Sequence, residues 1–205
     1  GKENVEYFDS IGILDSHRVL AHCIHLNDKE VKTLKKNSTR ISHCPSSNLK
    51  LGSGIANIPR YIKEGISVSL GADGAPCNNG LSAFNEMRLA ALIQKPIHGP
   101  TAMDAITVFR LATIEGAKAL HIENEVGSIE VGKKADLVLL DLEKADQPIH
   151  LSDEQIYSSI VYSASKENVK AVMIDGELVM DDGRCLMYDE DELVGKGKEE
   201  LIKIV

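Results

Sequence analysis

The chain has 205 residues, 43% hydrophobic and 26% charged, with a net charge of −8. That length can bury a sizeable core and form one large or two small domains, but it cannot hold a complete eight-stranded α/β barrel of about 250 residues together with anything further. An acidic balance without a basic stripe excludes an extended nucleic-acid or anionic-membrane surface, and no apolar run approaches the roughly 20 residues of a membrane helix.

In chain order, Val5 to Ile11 reads as a short amphipathic segment before a first strand, Val19-Leu20-Ala21-His22-Cys23-Ile24-His25, which ends in two imidazoles. Asp28 to Lys36 fits a helix with Asp28 near its N-terminus. A second strand, Arg40-Ile41-Ser42-His43-Cys44-Pro45, ends in another imidazole and enters a polar loop from Ser46 to Gly54. Asn57 to Glu64 is helical again, with Gly65 at the C-cap position. The third strand, Ile66 to Asp73, sets Val68, Leu70 and Ala72 on one face and Ser67, Ser69, Gly71 and Asp73 on the other. It stops abruptly in Asp73-Gly74-Ala75-Pro76-Cys77-Asn78-Asn79. Leu81 to Gln94 has helical spacing, with Phe84, Met87, Ala91 and Leu92 as expected core contacts. Thr101 opens a further helix with Asp104 three residues on, a capping-box pattern, and the helix runs to near His121.

The texture changes near Asn124. Gly127 to Lys134 is turn-rich and leads into the apolar run Ala135 to Leu142. Val169 to Ile174 and Glu177 to Met180 flank Asp175-Gly176, a dipeptide suited to a type I′ hairpin. A helix over Asp153 to Ser163 and a charged helical tail from Asp189 to Lys203 complete the expectation of βα units over residues 1–124 and a small β-rich unit over residues 125–205.

Three strands thus finish in metal-type or acid/base side chains at one edge, which suits a barrel or a doubly wound sheet, because loops at that edge gather into a pocket. Phosphate-binding fingerprints are absent, so the barrel leads. From the residues alone, Asp73 is either a turn former or a working carboxylate, and His22 either a hydrogen-bonded core histidine or a site residue. His25 and His43 stand between ligands and loop-orienting groups, and Asn48 and Lys50 between pocket-mouth and loop-ordering roles. Glu86 and Arg88 read as structural, and His17, His98, His121 and His150 as surface residues. Cys23, Cys44, Cys77 and Cys185 form no C-x-x-C pair and read as reduced thiols, Cys23 and Cys44 as small core hydrophobes.

The run from Val19 through Pro45-Ser46-Ser47-Asn48-Leu49-Lys50-Leu51-Gly52-Ser53-Gly54 and Asp73 to Arg88 closely resembles the amidohydrolase superfamily. Its nearest branch is the group of S-adenosylhomocysteine, methylthioadenosine and 5′-deoxyadenosine deaminases with the s-triazine chlorohydrolases. Gly127 to Leu140 and Val172 to Gly183 resemble that family's C-terminal β-sandwich segment and closing hairpin. The resemblance implies the C-terminal part, about three strands, of a (β/α)8 metal-dependent hydrolase barrel over residues 1–124, plus a small C-terminal β-rich domain with a helical tail over residues 125–205.

The resemblance further implies that Asp73 ligates the catalytic metal and accepts a proton from the attacking water. His22 would polarise the substrate, and Cys77 would lie near the substrate ring where many of these deaminases have serine. The implied cofactor is one divalent metal, zinc first, with iron or manganese as alternatives. The family's histidine-x-histidine pair and its histidine with a glutamate three residues on have no counterpart here. We therefore expect a fragment whose parent deaminates an adenine-type nucleoside, with an s-triazine chlorohydrolase as the alternative. The chain as it stands is then catalytically incompetent. Expected partners are a small-molecule purine nucleoside or triazine, and further copies of the chain through open barrel edges, giving a homo-oligomer; no nucleic acid and no membrane are expected. Gly1-Lys2-Glu3-Asn4 does not read as a signal peptide, so the expected location is the cytoplasm.

Overall fold

A computed structural model describes residues 2–143 and 152–203; the surface position expected for His150 lies outside them. Helix α1 (Asn4–Ser10) precedes strand β1 (Val19–Ala21), helix α2 (Asp28–Lys36), strand β2 (Arg40–His43), helices α3 (Pro45–Lys50) and α4 (Ile58–Lys63), and strand β3 (Val68–Leu70). Helices α5 (Ala75–Asn78), α6 (Ala83–Leu92), α7 (Lys95–His98), α8 (Ala105–Leu111) and α9 (Ile114–Ala119) follow. After them come β4 (Leu137–Leu140), α10 (Asp153–Tyr162), β5 (Val169–Ile174), β6 (Glu177–Asp181), β7 (Arg184–Cys185) and α11 (Glu190–Ile202).

The first three strands form a parallel sheet in the order β1-β2-β3, with Leu20 opposite Ile41 and Ser42 opposite Ser69. Each crossover is a βα unit whose helix packs back on the sheet, so Ile41, Leu34, Ile58 and Val108 reach 0% exposure. Helix α2 starts where Asn27 accepts from the Glu30 amide and Glu30 returns a bond to the Asn27 amide, a capping box one residue earlier than the aspartate suggested. Helix α4 ends at Gly65, whose φ of +83° is the left-handed conformation expected of it.

The other four strands form an antiparallel sheet in the order β4-β5-β6-β7. Its β5–β6 turn is Asp175-Gly176, with φ values of +51° and +85°, as a type I′ turn requires.

Several expectations are corrected by local chemistry. Strand β1 stops at Ala21, because His22 and Cys23 take positive φ values of 67° and 49° that no extended strand allows. Part of the expected polar loop is helix α3, started by Pro45 at its first turn. The single helix expected from Thr101 is two helices, and its N-cap is Asp104, whose carboxylate accepts from the Thr107 amide at 2.9 Å. In α6, Ala90 is enclosed, while Leu92 is 41% exposed. Helix α10 docks against α6 and α8, not against the strands it separates, and its Ile160 and Val161 join the main core. Phe109 and Tyr157 meet edge to face at 5.1 Å across that contact.

Candidate active site

The candidate site lies where β1 and β3 run out. The ladder continues one step past each strand: the His22 amide donates to Ser42 O at 3.0 Å and the Gly71 amide to His43 O at 2.8 Å. His22 and Asp73 both have left-handed backbones, with φ of 67° and 63°. Non-glycine residues take this conformation rarely and at an energetic cost, and it persists only where surrounding contacts hold it. Those contacts are present at both residues.

Asp73 Oδ2 accepts from Ser47 Oγ at 2.5 Å and its Oδ1 from the Gly74 amide at 2.6 Å. His22 Nδ1 lies 2.8 Å from Asn48 Oδ1, while its Nε2 faces Asp73 Oδ2 at 3.9 Å. The Asp73 carboxyl is held below its ordinary value, first by the Ser47 hydroxyl, then by the Gly74 amide, with the His22 ring and the Cys77 thiol adding to it. The side chains of His22 and Asp73 remain 42% and 27% exposed, so both are open to a small molecule.

Two fastenings hold the loops that carry these groups. Buried Glu86 on α6 accepts from the Ser46 amide at 3.1 Å and from Asn78 Nδ2 at 2.8 Å; Asn78 also donates to Ala72 O at 2.6 Å. Lys50 Nζ donates to Pro76 O at 2.7 Å and also to Asn79 Oδ1, tying α3 to α5. Glu86 is therefore structural, as its sequence position suggested, and Lys50 orders the loop. Neither Ser47 nor Asn78 stands out in the sequence, where the signal is only a run of small polar residues after a strand.

The other candidates do not join the His22–Asp73 pair. His43 is 0% exposed, and neither ring nitrogen has a partner among the described residues. Burial, with the nearby His22, lowers its pKa to about 4. His25 Nε2 lies 2.9 Å from Ser53 O and orients the loop after α3. Arg88 donates to Tyr162 O at 2.7 Å and secures α10. Cys23 and Cys44 are buried, and burial pushes the Cys23 thiol up to about 12. His17, His98 and His121 are at the surface, and His17 stacks on His121 at 4.3 Å.

Among the described residues no group of three His, Cys, Asp or Glu side chains stands close enough to hold a metal ion. Asp73 can serve as one ligand, but a catalytic zinc typically has three from protein. The described residues therefore do not complete a metal site. Among the described residues no helix is long and apolar enough to cross a membrane.

A model of the amidohydrolase family matches residues 2–179. The chain is 43% identical over 198 residues to a 5-methylthioadenosine/S-adenosylhomocysteine deaminase of Thermodesulfovibrio yellowstonii, covering 96% of this chain and 44% of that protein. It is 43% identical over 201 residues to a 5′-deoxyadenosine deaminase of Methanocaldococcus jannaschii, covering 97% and 46%. The chain thus spans less than half the length of these relatives. An adenosine deaminase from Xanthomonas campestris, solved with bound zinc, superimposes with a TM-score of 0.93 at 32% identity, over 100% of this chain and 47% of that one. Atrazine chlorohydrolase from Arthrobacter aurescens, solved with zinc, shares the fold with a TM-score of 0.85 at 24% identity, over 95% of this chain and 43% of that one.

Proposed function

The chain belongs to the amidohydrolase family, and from that premise we propose that it carries the last barrel strands and the adjoining β segment of a metal-dependent hydrolase that deaminates adenosine-type nucleosides. The reading rests on the Asp73 carboxylate and the His22 ring, which face each other at 3.9 Å beyond β3 and β1, in a chain 43% identical to proteins named as such deaminases. Asp73 is the one residue here that would ligate the metal; the other ligands would come from strands outside this chain. A divalent metal, zinc by analogy with the zinc-bound neighbour, would supply water acidified towards neutrality.

One residue of this chain then handles protons, and two others border the substrate. Water adds its oxygen to the amino-bearing ring carbon, the carbon–nitrogen bond breaks, and ammonia leaves. Asp73, kept ionised by Ser47 and Gly74, can accept the proton that water loses and return it to the departing amine. His22 borders the same space and can hold the substrate through Nε2. Cys77, half-buried on α5, lies beside Asp73 and would face the substrate ring.

The test is ammonia release from methylthioadenosine, S-adenosylhomocysteine and 5′-deoxyadenosine, beside chloride release from a chlorotriazine, using the protein carried to the length of its relatives. Asp73→Asn should cut turnover by roughly 10²–10⁴-fold or more through lost proton transfer, with loss of metal as well. His22→Ala should keep the metal and lower turnover. Activity on the chlorotriazine alone overturns the substrate assignment, and full activity of Asp73→Asn overturns the site.

A further inference from the structure

Ser47 and Asn48 are polar, adjacent and almost wholly enclosed, with exposures of 1% and 2%. They sit on the first turn of α3, which follows the central strand of the parallel sheet, so each neighbouring strand end lies to one side of it. Consecutive helical residues point about 100° apart, so one can reach towards β3 and the other towards β1. The contacts follow that division: Ser47 Oγ meets Asp73 Oδ2 at 2.5 Å, and Asn48 Oδ1 meets His22 Nδ1 at 2.8 Å. The turn is itself held, by the Ser46 amide on Glu86 and by Lys50 on Pro76 O.

We propose that Ser47 and Asn48 are positioning residues for the deaminase site, Ser47 fixing the Asp73 carboxylate and Asn48 fixing which His22 nitrogen carries the proton. The proposal rests on the functional reading above. A carbonyl oxygen only accepts, so His22 Nδ1 must donate to Asn48 and bears hydrogen in both the neutral and the cationic ring. In the neutral ring Nε2 then carries the lone pair, and it is the nitrogen facing Asp73 at 3.9 Å. Buried partners of this kind set the tautomer and the aim of a catalytic imidazole.

Nitrogen-15 spectra of the histidine rings in the 205-residue chain test this, at a pH where His22 is neutral. The wild type should show His22 Nδ1 as the protonated, pyrrole-type nitrogen, with a scalar coupling to Asn48 Cγ across the hydrogen bond. Asn48→Leu, close in size, should move the proton to Nε2, and Asn48→Asp, which restores an acceptor, should return it to Nδ1. Ser47→Ala should shift the Asp73 Cγ resonance, and Ser47→Thr should restore it. A wild-type ring protonated at Nε2, or the absence of the coupling to Asn48, overturns the Asn48 assignment even if Asn48→Leu does not fold. An Asp73 Cγ resonance unmoved in Ser47→Ala overturns the Ser47 assignment. These spectra need neither substrate nor metal, so a failed deaminase assay leaves them standing and their failure leaves the deaminase reading standing.

Discussion

In the parallel sheet, β2 and β3 carry enclosed residues, with Ile41 and Val68 at 0% and 2% exposure and the edge strand β1 part-buried, whereas Val138 and Leu139 in the antiparallel sheet stand at 58% and 63%. Among the described residues, no residue of β4, β5, β6 or β7 is fully buried. The difference follows from connection chemistry. A parallel pair needs a crossover, and the crossover brings a helix that covers the sheet, while an antiparallel pair needs only a turn such as Asp175-Gly176, which covers nothing. Helix α10, between β4 and β5 in the chain, packs instead on α6 and α8. Two sheets in one chain thus stand at opposite ends of self-sufficiency, and the second leaves apolar surface for something else to cover.

The largest expected effect separates the two regions by stability. Leu34→Ala should destabilise the chain by about 2–5 kcal/mol, the usual cost of truncating an enclosed leucine, whereas Leu139→Ala should cost less than about 0.5 kcal/mol. Urea unfolding of both variants decides it, and equal losses would erase the contrast. The same exposed strand should drive self-association, so Leu139→Lys should shift sedimentation towards monomer without moving the urea midpoint.

Acid should act on the enclosed region first. His43 is kept neutral by burial, its pKa lowered from 6.5 to about 4. The unfolded chain therefore takes up a proton that the folded one refuses as pH falls from 6.5 towards 4. The contribution of this group is fully present above pH 6.5 and is lost across that window, amounting to about 3 kcal/mol at its lower end. Stability against urea measured from pH 7 to 4 should fall accordingly, and His43→Leu should flatten that limb. An unchanged acid limb in the variant would remove His43 from the account.

Next in size is the joint between the regions. Gly127 has a φ of +93°, and a Cβ built there would lie 2.7 Å from Ala117 Cβ and 3.1 Å from Ile114 Cα. Gly127→Ala should cost about 1–3 kcal/mol by adding crowding to an unfavourable backbone. Gly132, also at positive φ with a value of +96°, has open space around it, so Gly132→Ala should cost less. Thermal melts of the pair show whether crowding or backbone conformation dominates.

The smallest effect compares two helix caps of the same chemistry. Asp104 accepts from the Thr107 amide at 2.9 Å and Asp189 from the Glu192 amide at 3.0 Å. Asp104→Ala should lower global stability by about 1 kcal/mol, because α8 is packed into the core. Asp189→Ala should only fray α11, which has no buried residue, so amide exchange should rise there with the global midpoint unchanged.

Local chemistry made much of this legible beforehand. The helix over Asp28–Lys36, the β5–β6 hairpin and the buried Cys23 and Cys44 follow from periodicity, propensity and turn residues, which act over a few positions, whereas the alternation expected from Ile66 to Asp73 is strand only over Val68–Leu70, with Val68 and Ser69 both buried and Asp73 in a left-handed backbone. The extent of strand β1 was not legible, because apolar residues around His22 and Cys23 fit a strand as readily as a left-handed turn, and tertiary contacts chose the turn. The same holds for α3, whose serines and asparagine read as loop until a buried glutamate and two pocket residues gave them partners.

By itself, then, the sequence determined the order of the βα units, the carboxylate and imidazole at their strand ends, and the resemblance that named the chemistry, since each is written in residues close together along the chain. Only the tertiary structure decided that Ser47 and Asn48 hold that pair, that His43 is a sealed core group, and that α10 packs on α6 and α8. Those outcomes depend on contacts between residues 26 positions apart or more, such as Ser47 with Asp73 and Arg88 with Tyr162. No local pattern encodes such distances, because they are set by which strand lies beside which.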